Sequence, residues 1–141
     1  MATEGPLLHD GGQCVAAADY SNTANLAGPG GSGQFYAVAK PATTNRTVAL
    51  AAATGVAIYG ILQNKPKPGD AADIGFFGIS KALASGTISV GADVMTNASG
   101  LMVAWTSGSG YAKAGMALES AVSGQIFTLF VYGPGGPLAL T

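Results

Sequence analysis

The sequence holds one His, His9, and one Cys, Cys14. A Ser-His-Asp triad would have to use His9, which lies among Gly and other small residues, a poor scaffold for holding a base in register. No Ser stands in a G-x-S-x-G elbow. His9 therefore reads as a solvated side chain in a mobile segment. Cys14 runs into Val15-Ala16-Ala17-Ala18 with no basic neighbour to lower its pKa, and reads as a buried, inert thiol. A single Cys excludes an intramolecular disulfide, and a four-Cys zinc site within one chain. Gly28-Pro29-Gly30-Gly31-Ser32-Gly33 fits the dinucleotide pattern G-x-G-x-x-G, but that chemistry needs a strand before the glycines and a helix N-terminus after them. A polar stretch precedes this segment and the strand-like Gln34-Phe35-Tyr36-Ala37-Val38 follows, so it reads as a flexible linker.

Two acidic pairs, Asp70 with Asp73 and Asp93 with Glu119, are the candidates for acid/base or metal chemistry. Asp70 ends a Pro-Gly-rich breaker, where Asp is favoured because its carboxylate bonds its own backbone. Asp93 follows Gly91-Ala92 and reads as turn-like too. No third oxygen-rich cluster joins them, which leaves calcium-type coordination unsupported. The expectation is no catalytic residue, no metal and no cofactor.

Composition narrows the function classes further. Charged residues make up 9% of the 141 residues, against about 25% in average globular proteins. Six Lys+Arg against seven Asp+Glu cannot form the broad basic patch that a nucleic-acid binder needs. Hydrophobic residues at 48% with a net charge of −1 exclude a disordered chain, and charged heptads for a coiled coil are absent. Residues 1–6 have neither a basic start nor an apolar run, so no signal peptide is expected. The dense apolar run at 126–132 is too short to cross about 30 Å of hydrocarbon as a helix, so no membrane partner is expected. The sequons at Asn45 and Asn97 read as chance matches. Lone soluble domains usually carry many surface charges. Such sparse charge implies that much of the surface is buried against other subunits or a larger assembly.

The elements that must position these residues read as β. Residues 1–33, with 22 Gly and 7 Pro in the whole chain and several glycines concentrated there, read as an extended Gly-rich arm whose one helix-like piece, 14–20, is too short to stand alone. From residue 34 onward, strand patterns occupy 35–39, 47–52, 56–63, 73–79, 87–90, 92–96, 101–105, 112–119 and 126–132, with a short helix at 49–53 as the alternative to part of the second. Breakers separate them: 64–70, a hairpin loop at 97–100 in which Gly100 can take positive φ, 107–110 and 123–124. Nine short strands with closely spaced turns predict an all-β fold, a small compact sandwich or barrel over 34–132, followed by a Gly/Pro-rich tail, 133–141.

Large apolar groups at the edges of this pattern or outside it are the candidate partner-binding residues. Phe76, Phe77, Phe127, Phe130 and Tyr132 are expected in the core or at a subunit interface. Trp105 ends a strand beside a Gly-Ser turn, where a half-exposed indole can anchor an interface. Leu7 and Leu8 in the arm, and Leu138 and Leu140 in the tail, are expected to dock on neighbouring chains, because exposed leucines on free arms are a liability.

A succession of segments resembles a known family. Gly60 through Ala72, with Asn64-Lys65-Pro66-Lys67-Pro68-Gly69-Asp70 at its centre, is followed by Gly78-Ile79-Ser80-Lys81, then by Gly86-Thr87-Ile88-Ser89-Val90-Gly91-Ala92-Asp93-Val94. Asn97 and Gly100 with Leu101-Met102-Val103-Ala104, then Gly115 through Ala121 and Gly124-Gln125-Ile126, complete it. In order and spacing, over roughly residues 56–132, this resembles the small capsid decoration, or cement, proteins of tailed bacteriophages. The first 50 residues are longer and richer in Gly than that pattern. The resemblance implies a compact β domain without catalytic residues, a homotrimer bound to the major capsid protein on the outer capsid surface of the virion, at three-fold and local three-fold axes, made in the bacterial host cytoplasm. Alternatives are a tail or fibre subunit, for which longitudinal repeats are expected and not found, and a small β-barrel enzyme, for which clustered titratable groups are expected and are sparse.

Overall fold

Phe127, Leu129 and Val131 alternate along one strand and are all fully buried, the period-two signature of a strand with one face in a core. That strand is the last of eleven in a computed structural model that describes residues 5–23, 25–107 and 110–134. In chain order they are β1 (Leu7–His9), β2 (Cys14–Ala16), β3 (Ala37–Ala39), β4 (Thr47–Val48), β5 (Ile58–Leu62), β6 (Ala71–Ala72), β7 (Ile74–Leu83), β8 (Asp93–Thr96), β9 (Met102–Ala104), β10 (Gly115–Ala117) and β11 (Ile126–Val131). The helical content of the described residues is one 3-10 turn, Pro29–Gly31. The all-β expectation is met.

The main sheet runs β3-β5-β7-β11-β10-β8-β9, with β1 paired to β7 as well. It curls until its ends meet. The Ala37 N–H donates to the Gly100 carbonyl at 2.8 Å, tying β3 to the β8–β9 hairpin, and the Ser85 N–H donates to the Met102 carbonyl at 2.8 Å. The result is a nearly closed barrel around Ile61, Ala82, Ile88, Val94, Met102, Phe127, Leu129 and Val131. Small residues let it close: Gly115 faces the Phe130 carbonyl too closely for any Cβ.

A second, three-stranded sheet, β4-β2-β6, covers a second cluster. Cys14, Ala16, Tyr20 and Val48 meet Val38, Leu62, Ala72 and Ile74 there, so residues N-terminal to position 33 and barrel strands share one apolar cluster. The piece at 14–20, read as too short to stand as a helix, forms strand β2 followed by bends. Seven residues cannot offset the cost of helix nucleation, whereas β4 and β6 offer ladder partners on both sides. The 49–53 alternative does not form a helix either.

Other departures are of length. The expected strand at 47–52 shortens to β4, and the one at 87–90 to a single bridge between Ile88 and Ala121. Gly86 and Gly91 flank that bridge, and Gly91 holds positive φ, which strands do not tolerate over a run. The strand expected at 73–79 extends to Leu83, because β11 pairs with it residue by residue from Gly78 to Leu83. The 97–100 hairpin is as expected: Asn97 Oδ1 accepts from the Ser99 and Leu101 N–H groups at 2.8 and 3.0 Å, and Gly100 takes φ +83°.

Candidate functional site

The residues with chemical potential are dispersed, each held by a local partner. His9 Nδ1 lies 2.8 Å from Asp73 Oδ1 on the surface. Cys14 is buried, and burial, then the Asp10 carboxylate, push its thiol pKa up, away from the reactive thiolate. The Gly28–Gly33 run closes on itself: the Ser32 hydroxyl donates to the Pro29 carbonyl at 2.7 Å and accepts from the Gln34 N–H at 3.2 Å. The next element is strand β3, so the helix that a dinucleotide fold would place there is missing.

Neither acidic pair acts as a unit. Asp70 accepts from the Lys67 N–H at 3.2 Å and closes its turn, as expected, while Asp73 is committed to His9. Glu119 accepts from the Thr128 N–H at 2.9 Å. Asp93, expected in a turn, opens strand β8 and pairs across to β10. Its Oδ1 accepts from the Tyr132 hydroxyl at 2.6 Å and its Oδ2 meets Lys113 Nζ at 3.0 Å. The Tyr132 bond, with Lys113, holds the carboxyl below its ordinary range. Burial and then the Asp93 bond push Tyr132 up to about 12. Lys113 Nζ also sits 4.7 Å from the centroid of Trp105, whose Nε1 donates to the Tyr111 carbonyl at 3.3 Å. Asp93, Tyr132, Lys113 and Trp105 thus form one satisfied chain that pins β8, β10 and the end of β11. Among the described residues no three of His, Cys, Asp and Glu gather as metal ligands would.

Among the described residues, exposed apolar side chains gather at two places. The first is a groove of about 380 Å³ lined by Pro6, Leu7, Leu8, Phe77, Ile79 and Phe130. Leu7 turns inward onto Gly75 of its own chain: a Cβ on Gly75 would stand 2.5 Å from Leu7 Cδ2. Leu8 points out and is 57% exposed. Phe77, 45% exposed, makes an edge-to-face pair with Phe130 at 5.2 Å between centroids, and Phe130 continues to Tyr132 at 6.3 Å. Phe127 is core, while Phe76 is half-buried and stacks on Tyr59. The second is an end of the barrel around the Ile88–Ala121 bridge, where Val90 and Val122 are 63% and 53% exposed, with Leu118 and Ile126 also at the surface.

Of the expected partner-binding residues, Leu7 and Leu8 reach the groove, and Trp105 lies half-buried in the Lys113 cluster. Leu138 and Leu140 lie outside the described residues. The Val90–Val122 end is not apparent from the sequence pattern, because Val90 closes a strand-like run and reads as core, and Val122 stands alone beside a turn. The adjacent Phe76-Phe77 does carry a signal: neighbouring residues in a strand face opposite ways, so one of the two must leave the barrel interior.

No protein-family model and no curated protein matches the sequence. Among solved structures, the fold is similar to the N-terminal base of the head fibre protein gp8.5 of bacteriophage phi29, with a TM-score of 0.60 and 17% identity over 89% of this chain and 92% of that one.

Proposed function

We propose that the protein is a structural component of a bacteriophage head: a decoration, or cement, protein that sits as a homotrimer on the outer capsid surface, against the major capsid protein at three-fold and local three-fold axes. The observation that carries this reading is the whole-chain likeness of its barrel to a phage head fibre base, nine-tenths of each chain being covered. The order of segments over 56–132 that resembles capsid decoration proteins favours the same role, with no family model matching it. Dispersed, locally satisfied polar groups favour a binding role over catalysis.

The physical demands of cementing suit this chain. A shell is stiffened by many modest contacts acting together, so avidity matters more than any one site. A cyclic trimer matches a three-fold axis. With 9% charged residues, wide surfaces can be covered at little desolvation cost. The Val90–Val122 end of the barrel is the surface we assign to the shell.

Native mass and capsid binding test the reading together. The expected mass is three times 13.8 kDa, with each protomer burying more than about 1,000 Å², and the purified protein should co-sediment with capsids that lack it. A monomer at micromolar concentration that leaves such capsids bare overturns the proposal.

A further inference from the structure

Residues 5–10 are held by one strand. The Gly5 N–H donates to the Ile79 carbonyl at 3.3 Å, the Ile79 N–H to the Pro6 carbonyl at 2.8 Å and the Asp10 N–H to the Ile74 carbonyl at 3.0 Å. Between them β1 pairs with β7 from Gly78 to Gly75, and among the described residues it pairs with no other strand. His9 adds its contact with Asp73, and Asp10 Oδ1 accepts from the Ile74 N–H at 3.3 Å. Strand β7 is shaped for this segment. A Cβ on Gly75 would stand 2.5 Å from Leu7 Cδ2, and one on Gly78 would run into the Pro6 carbonyl oxygen. Directly after Asp10 the chain reverses through Gly11 and Gly12, at φ +71° and +76°, before β2 begins at Cys14.

We propose that β7 is a strand-acceptor site and that, in the trimer proposed above, the segment 5–10 seated on it comes from the neighbouring protomer, exchanged about Gly11–Gly12. The inference rests on that trimer. Every contact named for the segment lies on residues 73–79, so the same bonds form whether it belongs to one chain or to the next, and exchange costs only what the hinge costs. Glycine takes either sign of φ about equally, so the turn opens at little conformational cost. Gly11 has nothing within 4 Å of where a Cβ would lie; its glycine serves the reversal, not a close approach. Opened, residues 9–14 span at most about 18 Å, which reaches only a barrel in direct contact. That barrel covers what β1 leaves bare in the single chain. Leu8 and Phe77 are exposed beside the seated strand, and the groove they share with Phe130 is lined by no charged residue. The strand that fits the acceptor, Pro6-Leu7-Leu8-His9, is carried by every copy.

Two experiments on the full-length chain test it. In a Cys14→Ala background, Leu7→Cys with Gly75→Cys puts a sulfur where Leu7 Cγ lies, 2.8 Å from the new Cβ, within disulfide reach. The variant is oxidised, its native mass measured, and the products run on a denaturing gel without reductant. The expected product is three chains joined covalently. A trimeric native mass with disulfides confined to single chains keeps the trimer and overturns the exchange, as does a trimer that forms no disulfide. A monomeric mass overturns both. Separately, Gly11→Ala/Gly12→Ala, with Cys14 intact, penalises only the closed turn, where both residues hold positive φ. Dissociated monomers must close that turn and the exchanged trimer need not, so the trimer should withstand at least about tenfold further dilution before dissociating. An unchanged or raised dissociation midpoint means that the turn is closed in both states, which overturns the exchange and leaves the trimer standing.

Discussion

The Asp93–Tyr132 hydrogen bond shows how a polar pair can be structural while looking functional. Asp93 Oδ1 accepts from the Tyr132 hydroxyl at 2.6 Å, with Lys113 3.0 Å from the second oxygen. The bond favours a charged Asp93 and a neutral Tyr132, so the two pKa values move apart. Tyr132 is raised from 10.0 to about 12; its contribution is therefore complete below pH 10 and lost as pH climbs to about 12. Asp93 is lowered from 3.8; its contribution is present above pH 3.8 and lost as pH falls through the lower folded value. Tyr132→Phe should cost roughly 1–2 kcal/mol near neutrality. The difference in melting temperature between wild type and variant should be flat from about pH 4 to 10 and close by about pH 12. A difference that persists beyond pH 12 would show that the hydroxyl acts through packing alone. The groups that first suggest catalysis should be silent in attachment: His9→Ala, and Cys14→Ser wherever it folds, are expected to leave capsid binding unchanged in a co-sedimentation assay, because one faces solvent beside Asp73 and the other is enclosed in the smaller core.

Among the elements, the β8–β9 hairpin is where local sequence decides most. Gly100 holds φ +83°, and a Cβ there would stand 3.1 Å from Tyr36 Cδ2 and 3.2 Å from the Ala37 carbonyl oxygen. That carbonyl belongs to the residue whose N–H donates to Gly100 and helps close the barrel. Gly100→Val should therefore cost about 1–2 kcal/mol from the left-handed backbone alone, and more because β3 must move. A thermal or urea midpoint like that of wild type would mean the hairpin does not help close the barrel. This hairpin, β5 and β11 were legible in the sequence because turn chemistry and alternation agree at each. Strands β1, β2 and β6 were not: runs of two or three residues carry no periodicity, and they become strands only because β7 pairs with β1, β4 with β2 and β2 with β6, partners distant in sequence. The extension of β7 through Ser80 and Lys81 has the same cause, its pairing with β11. The site was legible in part. Leu7 and Leu8 stood out as large apolar groups among glycines, whereas the convergence of Phe77 and Phe130 depends on which neighbours β7 acquires.

For the whole molecule, the question is which apolar surface meets other chains. Two surfaces compete, and they make different demands. No described segment reaches across the Val90–Val122 end, where both side chains are more than half exposed. Val90 and Val122 contribute little to the barrel core, so Val90→Asp/Val122→Asp should leave the melting temperature within a few degrees of wild type. If the shell covers both residues, each Val loses about 1.5 kcal/mol or more of burial, and each new carboxylate must be desolvated against an apolar partner. In the proposed trimer three copies of the surface act together, so the loss compounds. Capsid attachment should fall by at least about a hundredfold, while trimer mass is retained if the end faces the shell and lost if it lies between protomers. Sedimentation with capsids, alongside native mass and circular dichroism, separates these results. Wild-type attachment by a folded double variant would show that the shell is met by another face of the barrel.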